Sequence, residues 1–228
     1  MDPTRAVTPS LDGPVLAALA RATRPLTVGE ITACAARGSE IGVRRCVARL
    51  VAQGVVDAVL MGRNIVHTLN REHVAAPIAD LLAGLRAELA RRLREALGTW
   101  HPPPLRAILL SSAPGAPDEV SLLLVHPPRP DEAPAGPDHT RATGSCDLAP
   151  AGPQPQPLLE PMGPAPVAMT AEQEQAWRGQ LAELAPLVRR WTGSGLRVVE
   201  MSSGEVAQRR QRGSRLLDEL ERGGEVLV

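Results

Sequence analysis

The sequence contains no lysine, no phenylalanine and no tyrosine, and three tryptophans are its only aromatic side chains. The hydrophobic residues, 43% of the chain, are therefore mostly Ala, Leu and Val, which can still build the core of a domain. Proteins that bind single-stranded RNA by stacking bases on aromatic side chains are nearly excluded by this composition.

Long apolar runs are also missing, and none approaches the roughly 18 residues of a membrane-spanning helix. The first residues carry neither a basic segment nor an apolar one, so we expect no signal peptide. The three cysteines, Cys34, Cys46 and Cys146, lack the CxxC spacing of many zinc sites. We therefore expect no disulfide framework, no metal site and no membrane partner, and a reducing, cytoplasmic location.

The chain of 228 residues is long enough for one large domain or two small ones. It contains 23 prolines and 20 glycines, a share that suggests a disordered segment beside folded parts. Twelve of the prolines fall within residues 127–166. Such a stretch forms neither a helix nor a sheet ladder, so we predict a disordered loop there.

The net charge is zero, with 25 basic and 25 acidic residues, but the charges are unevenly distributed. Residues 1–71 carry nine Arg and five acidic residues, a net charge of +4. Residues 101–228 carry twelve Arg and sixteen acidic residues, a net charge of −4. The basic part suits a polyanionic partner and the acidic part would repel one, which indicates two modules with different partners.

Residues 1–71 have the pattern of three short helices followed by a β-hairpin. Thr27 and Glu30 form a capping box at the start of the second helix. Ser39 is positioned to cap the third helix, and Gly54 is a suitable residue to end it. The two β-rich runs that follow are joined by a short turn, which predicts a hairpin.

Residues 72–99 show the periodicity of one long amphipathic helix between the two modules. Its apolar side chains recur every three or four positions: Val74, Ile78, Leu82, Leu85, Leu89 and Leu93. The arginines of this segment fall largely outside the apolar stripe: Arg86, Arg91, Arg92 and Arg94. The helix serves either as a linker or as a dimerisation arm, and the sequence leaves both roles open.

The order of three helices and a two-stranded wing resembles the winged helix-turn-helix of bacterial regulators of the MarR/ArsR type. The resemblance is carried by Leu-Thr-Val-Gly-Glu-Ile at residues 26–31, by the end of the third helix at 49–56, and by Gly62-Arg63 in the wing. It implies a double-stranded DNA partner. It also implies a homodimer, because such regulators bind pseudo-palindromic sites with two-fold symmetry.

The third predicted helix separates into an apolar side and a basic side. Val43, Val47 and Leu50 bunch within about 60° on a helical wheel, so we expect them to be buried. The opposite side carries Arg among small residues, which lets a helix approach the major groove closely. We predict four DNA contacts, although ordinary solvated side chains are the alternative interpretation: Arg44, Arg45, Arg49 and, in the wing, Arg63.

Other reactive side chains in this module have a plain structural interpretation. We expect Cys34 and Cys46 to line the helix interface as small apolar residues. We expect His67 and His73 to be surface residues rather than metal ligands.

From residue 100 onward the pattern is an α/β or α+β module that resembles the minimal nucleotidyltransferase domain of the polymerase-β-like superfamily. In that family a Gly-Ser turn after a strand binds nucleotide phosphates. An Asp-x-Asp pair on the next strand and a third carboxylate on a later strand hold two Mg²⁺ ions, which need anionic oxygen ligands. The corresponding segments here are residues 106–113, 118–125 and 191–200.

This module departs from the family at the residues that carry the chemistry. Ser111 replaces the turn glycine, although Ser112 remains, and Glu119 and Ser121 replace the two Asp residues. A serine hydroxyl cannot bridge two metal ions, so we expect at least about a thousand-fold loss of activity. The resemblance implies only a vestigial nucleotide site, formed by Ser111, Ser112 and Glu119, with no catalytic or metal-binding residue. Glu200 is either the third carboxylate or, as we favour, a surface residue.

These patterns together predict an α+β chain: a winged helix-turn-helix (1–71), a linker helix (72–99) and a degenerate nucleotidyltransferase-like domain (100–228). An unrelated α/β domain remains the alternative for the last part. The favoured function is a DNA-binding transcriptional regulator without a cofactor, whose C-terminal domain is a sensor, a dimerisation element or a platform for a nucleotide or protein partner. The alternative is a Mg²⁺-dependent nucleotidyltransferase that modifies a protein, an RNA or a small molecule, including in a toxin–antitoxin setting.

Overall fold

The computed structural model describes residues 3–35, 37–110, 119–131, 167–212 and 224–228. Within these ranges the protein is a mixed α+β structure with six α-helices and two small sheets, so the predicted α+β class is confirmed. The helices are α1 (Asp12–Arg21), α2 (Val28–Ala35), α3 (Glu40–Ala52), α4 (Ala76–Leu97), α5 (Ala171–Thr192) and α6 (Ser203–Gln211). The strands are β1 (Val56–Met61), β2 (Asn64–Leu69), β3 (Arg106–Leu110), β4 (Val120–His126), β5 (Leu196–Ser202) and β6 (Gly224–Val226).

The chain divides into two compact units. The first unit contains residues 3–93 together with 119–120 and Leu187–Leu196, and the second contains the other described residues. None of the helices in the described ranges has the length and apolar content needed to cross a membrane. Of the predicted disordered loop, 127–166, everything from residue 132 onward lies outside the described residues.

The core of the first unit is built from one apolar face of each of its first three helices. These helices contact one another pairwise, and each contributes aliphatic side chains at helical spacing. The residues of this core that are less than a tenth exposed include Val15, Leu19, Leu26, Ile31, Val43, Val47, Leu50, Val56 and Leu69. Burial of these side chains supplies the main driving force for folding of this unit.

The predicted capping box at the start of α2 is confirmed. The Glu30 carboxylate accepts a hydrogen bond from the Thr27 backbone N at 2.8 Å, and Thr27 Oγ1 accepts one from the Glu30 backbone N at 3.4 Å. Bonds to Glu30 from Arg24 and then from Thr27 lower its pKa to about 2. The predicted cap of α3 is also confirmed, because Ser39 Oγ accepts a hydrogen bond from the Gly42 backbone N at 3.2 Å.

The predicted hairpin forms as an antiparallel pair that runs from Val56 opposite Leu69 to Met61 opposite Asn64. Gly62 in its turn has a φ of +63°, a conformation that tight hairpin turns favour and that glycine adopts without steric cost. Strand β2 also bridges to Leu26 through two backbone hydrogen bonds of His67. The expectation that His67 lies on the surface is therefore wrong, since this bridge leaves its side chain buried.

Helix α4 forms where the linker helix is predicted, but its buried face is rotated from the predicted stripe. Of the apolar stripe, Leu82, Leu89 and Leu93 are buried. Val74 precedes the helix, and Ile78 is exposed. Alanines form part of the buried face, because their small side chains allow close packing. They do not appear in a stripe that is drawn from large apolar residues. The buried positions are Ala76, Ala79, Leu82, Leu89, Ala90, Leu93 and Leu97.

The second unit contains a four-stranded sheet in the order β5-β4-β3-β6. Strand β3 pairs antiparallel with β4, from Arg106 opposite Val125 to Leu109 opposite Leu122, and antiparallel with β6 on its other side. Successive side chains of a strand alternate between the two faces of a sheet. Consecutive residues of β4 are nonetheless all buried, so both faces of the sheet are covered around this strand: Leu122, Leu123, Leu124 and Val125.

Trp177 of α5 connects three parts of the second unit. Its ring meets Trp100 edge to face, with centroids 5.0 Å apart, and lies 5.7 Å from His126 at the end of β4. Its indole Nε1 donates a hydrogen bond of 3.1 Å to Glu200 in β5. Because the ring is almost fully buried, its polar nitrogen needs such a partner.

Truncation of the core residue Ile31 tests the packing of the first unit. Ile31 is completely buried, so Ile31→Ala should lower the free energy of unfolding by about 2–5 kcal/mol through lost apolar burial and a residual cavity. Leu81→Ala is the matched control, because Leu81 is 73% exposed and its truncation should change stability by no more than about 0.5 kcal/mol. Urea denaturation followed by circular dichroism measures both, and equal losses would contradict the packing described.

Candidate nucleic-acid interface

Helix α3 has one buried face and one exposed face, as the sequence predicts. Val43, Val47 and Leu50 are buried, and Cys46 joins them. The exposed side chains on the other face are Ile41, Arg44, Arg45, Ala48, Arg49 and Ala52. The helix therefore presents three arginines to solvent, interleaved with small or aliphatic residues.

Arg44 is held only weakly on this surface. Its guanidinium forms an ion pair of 2.9 Å with Glu40, one helical turn earlier, and both side chains are more than half exposed. Exposed pairs of this type contribute about 0.3–0.5 kcal/mol and are screened by salt. Arg44 can therefore exchange Glu40 for a phosphate group at little cost.

The Arg49 side chain has partners within the first unit. Its guanidinium forms an ion pair with Asp12 at the start of α1 and contacts the Gln53 side chain. Asp12 also accepts hydrogen bonds from Cys46 Sγ at 3.0 Å and from Ser10 Oγ at 2.7 Å. The predicted contact residue Arg49 thus fastens α3 to α1, a role that the sequence analysis missed because its partner lies 37 residues away.

The Asp12–Cys46 pair keeps the thiol of Cys46 protonated. Partial burial, followed by the hydrogen bond to Asp12 and the negative charge of Asp12, raises the pKa of Cys46 to about 12. Burial acts to raise the pKa of Asp12 as well, but its bonds from Cys46, Ser10 and Arg49 and the charge of Arg49 outweigh that and lower it. Asp12 is therefore a carboxylate at neutral pH and Cys46 a thiol, which favours the bond that joins them.

Arg45 and Arg63 are the two predicted contact residues that the structure leaves most available. Arg45 lies in the middle of the exposed face of α3, and Arg63 is the second residue of the hairpin turn. Both side chains are exposed, and within the described ranges neither forms an ion pair. A free guanidinium on an exposed helix face is the type of group that binds phosphates or guanine bases.

The predicted vestigial nucleotide site is only partly within the described structure. Ser111 and Ser112 lie outside the described residues. Glu119 immediately precedes β4 and is half-buried, and Ser121 is half-buried as the second residue of that strand. The structure thus places Glu119 and Ser121 at the start of β4, two residues apart.

Glu200 is half-buried and has two side-chain partners, which differs from the expectation of a simple surface residue. Its carboxylate accepts the hydrogen bond from Trp177 and lies 3.5 Å from a guanidinium nitrogen of Arg129. A carboxylate that already has a cation and an indole N–H as partners is a poor ligand for a further metal ion. No local sequence pattern indicates these contacts of Glu200, because Arg129 and Trp177 are 71 and 23 residues away from it along the chain.

Among the described residues of β4 and β5, the donor groups do not fit two magnesium ions. Two magnesium ions need a carboxylate that they share, whereas Ser121 offers a neutral hydroxyl and Glu200 already has Arg129 and Trp177 as partners. Across the described part of the chain, no group of three or more His, Cys, Asp or Glu side chains is close enough to hold a metal ion.

Comparisons with known proteins do not place the chain in a family. No family model matches it, and no curated protein matches it. Among solved structures, human N-acetylserotonin methyltransferase in complex with SAM is similar over 41% of this chain and 31% of that chain, with 18% sequence identity and a TM-score of 0.27. The match thus spans about a third of the methyltransferase, and a TM-score this low does not indicate a shared fold.

The expectation that both N-terminal cysteines line the helix interface is wrong for Cys34. This residue is exposed because it falls on the solvent side of α2.

Thiol labelling tests the environment of Cys46. In a Cys146→Ser background at pH 8, we expect one thiol, that of Cys34, to react rapidly with a disulfide reagent. Cys46 should react only after unfolding, since its pKa is about 12. Adding Cys34→Ser should abolish the rapid phase, and two rapid thiols before that change would contradict this environment.

Proposed function

We propose that this chain is a cytoplasmic DNA-binding transcriptional regulator whose first unit is a winged helix-turn-helix that binds double-stranded DNA as a homodimer. The order of α1, α2, α3 and the β1–β2 hairpin supports this assignment. So does the net charge of +4 on residues 1–71, which favours a polyanion. The observation that carries the proposal is the exposed face of α3, where Arg45 lies between small or aliphatic neighbours.

The four arginines divide into two roles in this proposal. Arg45 enters the major groove, where a guanidinium can form a bidentate pair with guanine, and Arg44 leaves Glu40 to bind a phosphate. Arg49 fixes the orientation of α3 relative to α1 through its ion pair with Asp12, and it contributes positive charge near the DNA phosphates. Arg63 at the wing tip lies beside the neighbouring phosphates.

The second unit in this proposal is a degenerate nucleotidyltransferase-like domain that requires no cofactor. It acts as a sensor, as a dimerisation element or as a platform for a nucleotide or protein partner. Two features support the loss of chemistry: Ser121, which the resemblance aligns with the metal-bridging carboxylate, carries a neutral hydroxyl, and the Glu200 carboxylate already has Arg129 and Trp177 as partners. The burial of β4 on both faces of the sheet gives this unit a stable scaffold.

Titration of DNA against wild-type protein and against Arg45→Ala tests the proposal. Wild-type protein should bind a duplex from its own promoter region, with affinity that falls steeply as salt rises. Arg45→Ala should weaken binding by about 1–3 kcal/mol if the contact is to a base, or reduce the salt slope by about 1 if it is to a phosphate. Both are measured by gel shift or fluorescence anisotropy over a range of salt concentrations.

The matched control is Arg197→Ala, which removes the same charge from an exposed position on β5. It should leave DNA affinity unchanged. Binding that is absent at low salt, or an equal loss in both variants, would contradict the assignment of α3 as the DNA-binding helix.

The alternative function is a Mg²⁺-dependent nucleotidyltransferase, and substitution of Glu119 tests it. We expect no transfer of label from radioactive nucleoside triphosphates to protein, RNA or small-molecule hydroxyls with Mg²⁺ or Mn²⁺ present. Transfer that is lost in Glu119→Gln but retained in Glu172→Gln, a change at an exposed acid of α5, would establish the enzyme and overturn the regulatory proposal.

A further inference from the structure

Ile41, in the first turn of α3, is a large apolar side chain that the fold leaves in solvent. It is 66% exposed, whereas the buried face of the same helix is built from Val43, Val47 and Leu50. A β-branched side chain loses conformational freedom in a helix, and an exposed one recovers little of that cost through burial. The packing of the first unit therefore does not explain an isoleucine at this position.

The start of α3 is held in place by other residues. The Leu11 side chain packs against the backbone there, since a Cβ added at Gly42 would lie 3.0 Å from Leu11 Cδ1, and one at Gly38 would lie 2.7 Å from Leu11 Cδ2. Ser39 caps the helix through its bond to Gly42. Leu11 and Ser39 thus anchor and cap the helix start, while Ile41 stays on its outer side.

Ile41 belongs to the stripe of α3 that contains the arginine assigned to the major groove. With 3.6 residues per turn, four exposed side chains fall within about 60° of one another. Arg44 and Arg49 lie on opposite sides of this stripe, and its two alanines allow the helix to approach base edges closely. The stripe consists of Ile41, Arg45, Ala48 and Ala52.

The two larger side chains of the stripe suit two different bases. A guanidinium can pair with O6 and N7 of guanine, and an apolar side chain can contact the C5 methyl group of thymine in the major groove. Ile41 is the second residue of α3, and the N-terminal residues of a recognition helix contact base edges. Ile41 and Arg45 are about 6 Å apart along the helix axis, roughly two base-pair steps of 3.4 Å.

We propose that Ile41 is a specificity-determining residue that contacts the C5 methyl group of a thymine, about two base pairs from the guanine bound by Arg45. This inference rests on the proposed function, since it requires α3 to lie in the major groove. The contact removes apolar surface of both groups from water. Cytosine has no C5 methyl group, so the contact discriminates between the two pyrimidines.

Replacement of thymine by deoxyuridine tests this contact, because uracil pairs with adenine as thymine does and lacks only the methyl group. A duplex from the promoter region is prepared with thymine or with deoxyuridine at every thymine position, and both forms are titrated by fluorescence anisotropy at one salt concentration. Wild-type protein should bind the deoxyuridine form about fourfold more weakly for each half-site. Ile41→Ala should bind the thymine form more weakly than wild type and should not distinguish the two forms.

The matched control is Ile78→Ala, which makes the same change at an exposed position of α4. It should keep the affinity and the thymine preference of wild type, and circular dichroism confirms that both variants are folded. Equal wild-type affinity for the two forms, or a thymine preference that persists in Ile41→Ala, would overturn this contact and leave the DNA-binding proposal standing. Binding of neither form at low salt would overturn both.

Discussion

The burial of one face of helix α3 is the constraint on which the N-terminal unit depends. Val43, Val47 and Leu50 enter the core with Cys46, and a helix with 3.6 residues per turn must then present the intervening residues to solvent. Those residues include three arginines. The exposed basic face is therefore a direct consequence of the same periodicity that builds the core.

Polar contacts between α1 and α3 add to this apolar packing. Asp12 receives bonds from Arg49 and Cys46, so the position of α3 is set by directional contacts as well as by nonpolar ones. The arginines of this basic face therefore have two roles. Arg49 holds the helix in place, while Arg44 and Arg45 face solvent. In the second unit, the corresponding fixed element is Trp177, which ties α5 to β4 and β5 through its ring and its indole N–H.

Local features of the fold could be predicted from the sequence, while features that depend on distant residues could not. The cap of α2 by Thr27 and Glu30, the cap of α3 by Ser39 and the hairpin turn at Gly62 depend on residues within one turn of each other, and all three are confirmed. The burial of His67 depends on a bridge to Leu26, 41 positions earlier, so no local pattern indicates it.

The same distinction applies to the candidate site. The exposed arginines of α3 follow from helical periodicity alone. The engagement of Arg49 by Asp12 and of Glu200 by Trp177 and Arg129 follows from tertiary packing, which a single sequence does not display. The buried face of α4 differs in phase from its stripe of large apolar residues, because buried alanines, such as Ala79 and Ala90, give a weaker periodic signal than leucine and isoleucine.

Amide hydrogen exchange on the full chain, with and without a duplex from its promoter region, measures most directly whether α3 is the DNA-binding element. The account predicts added protection in α3 and in the segment that leads into it, with exchange in β4 and α5 unchanged. Protection confined to the second unit, with α3 unaffected by the duplex, would contradict it.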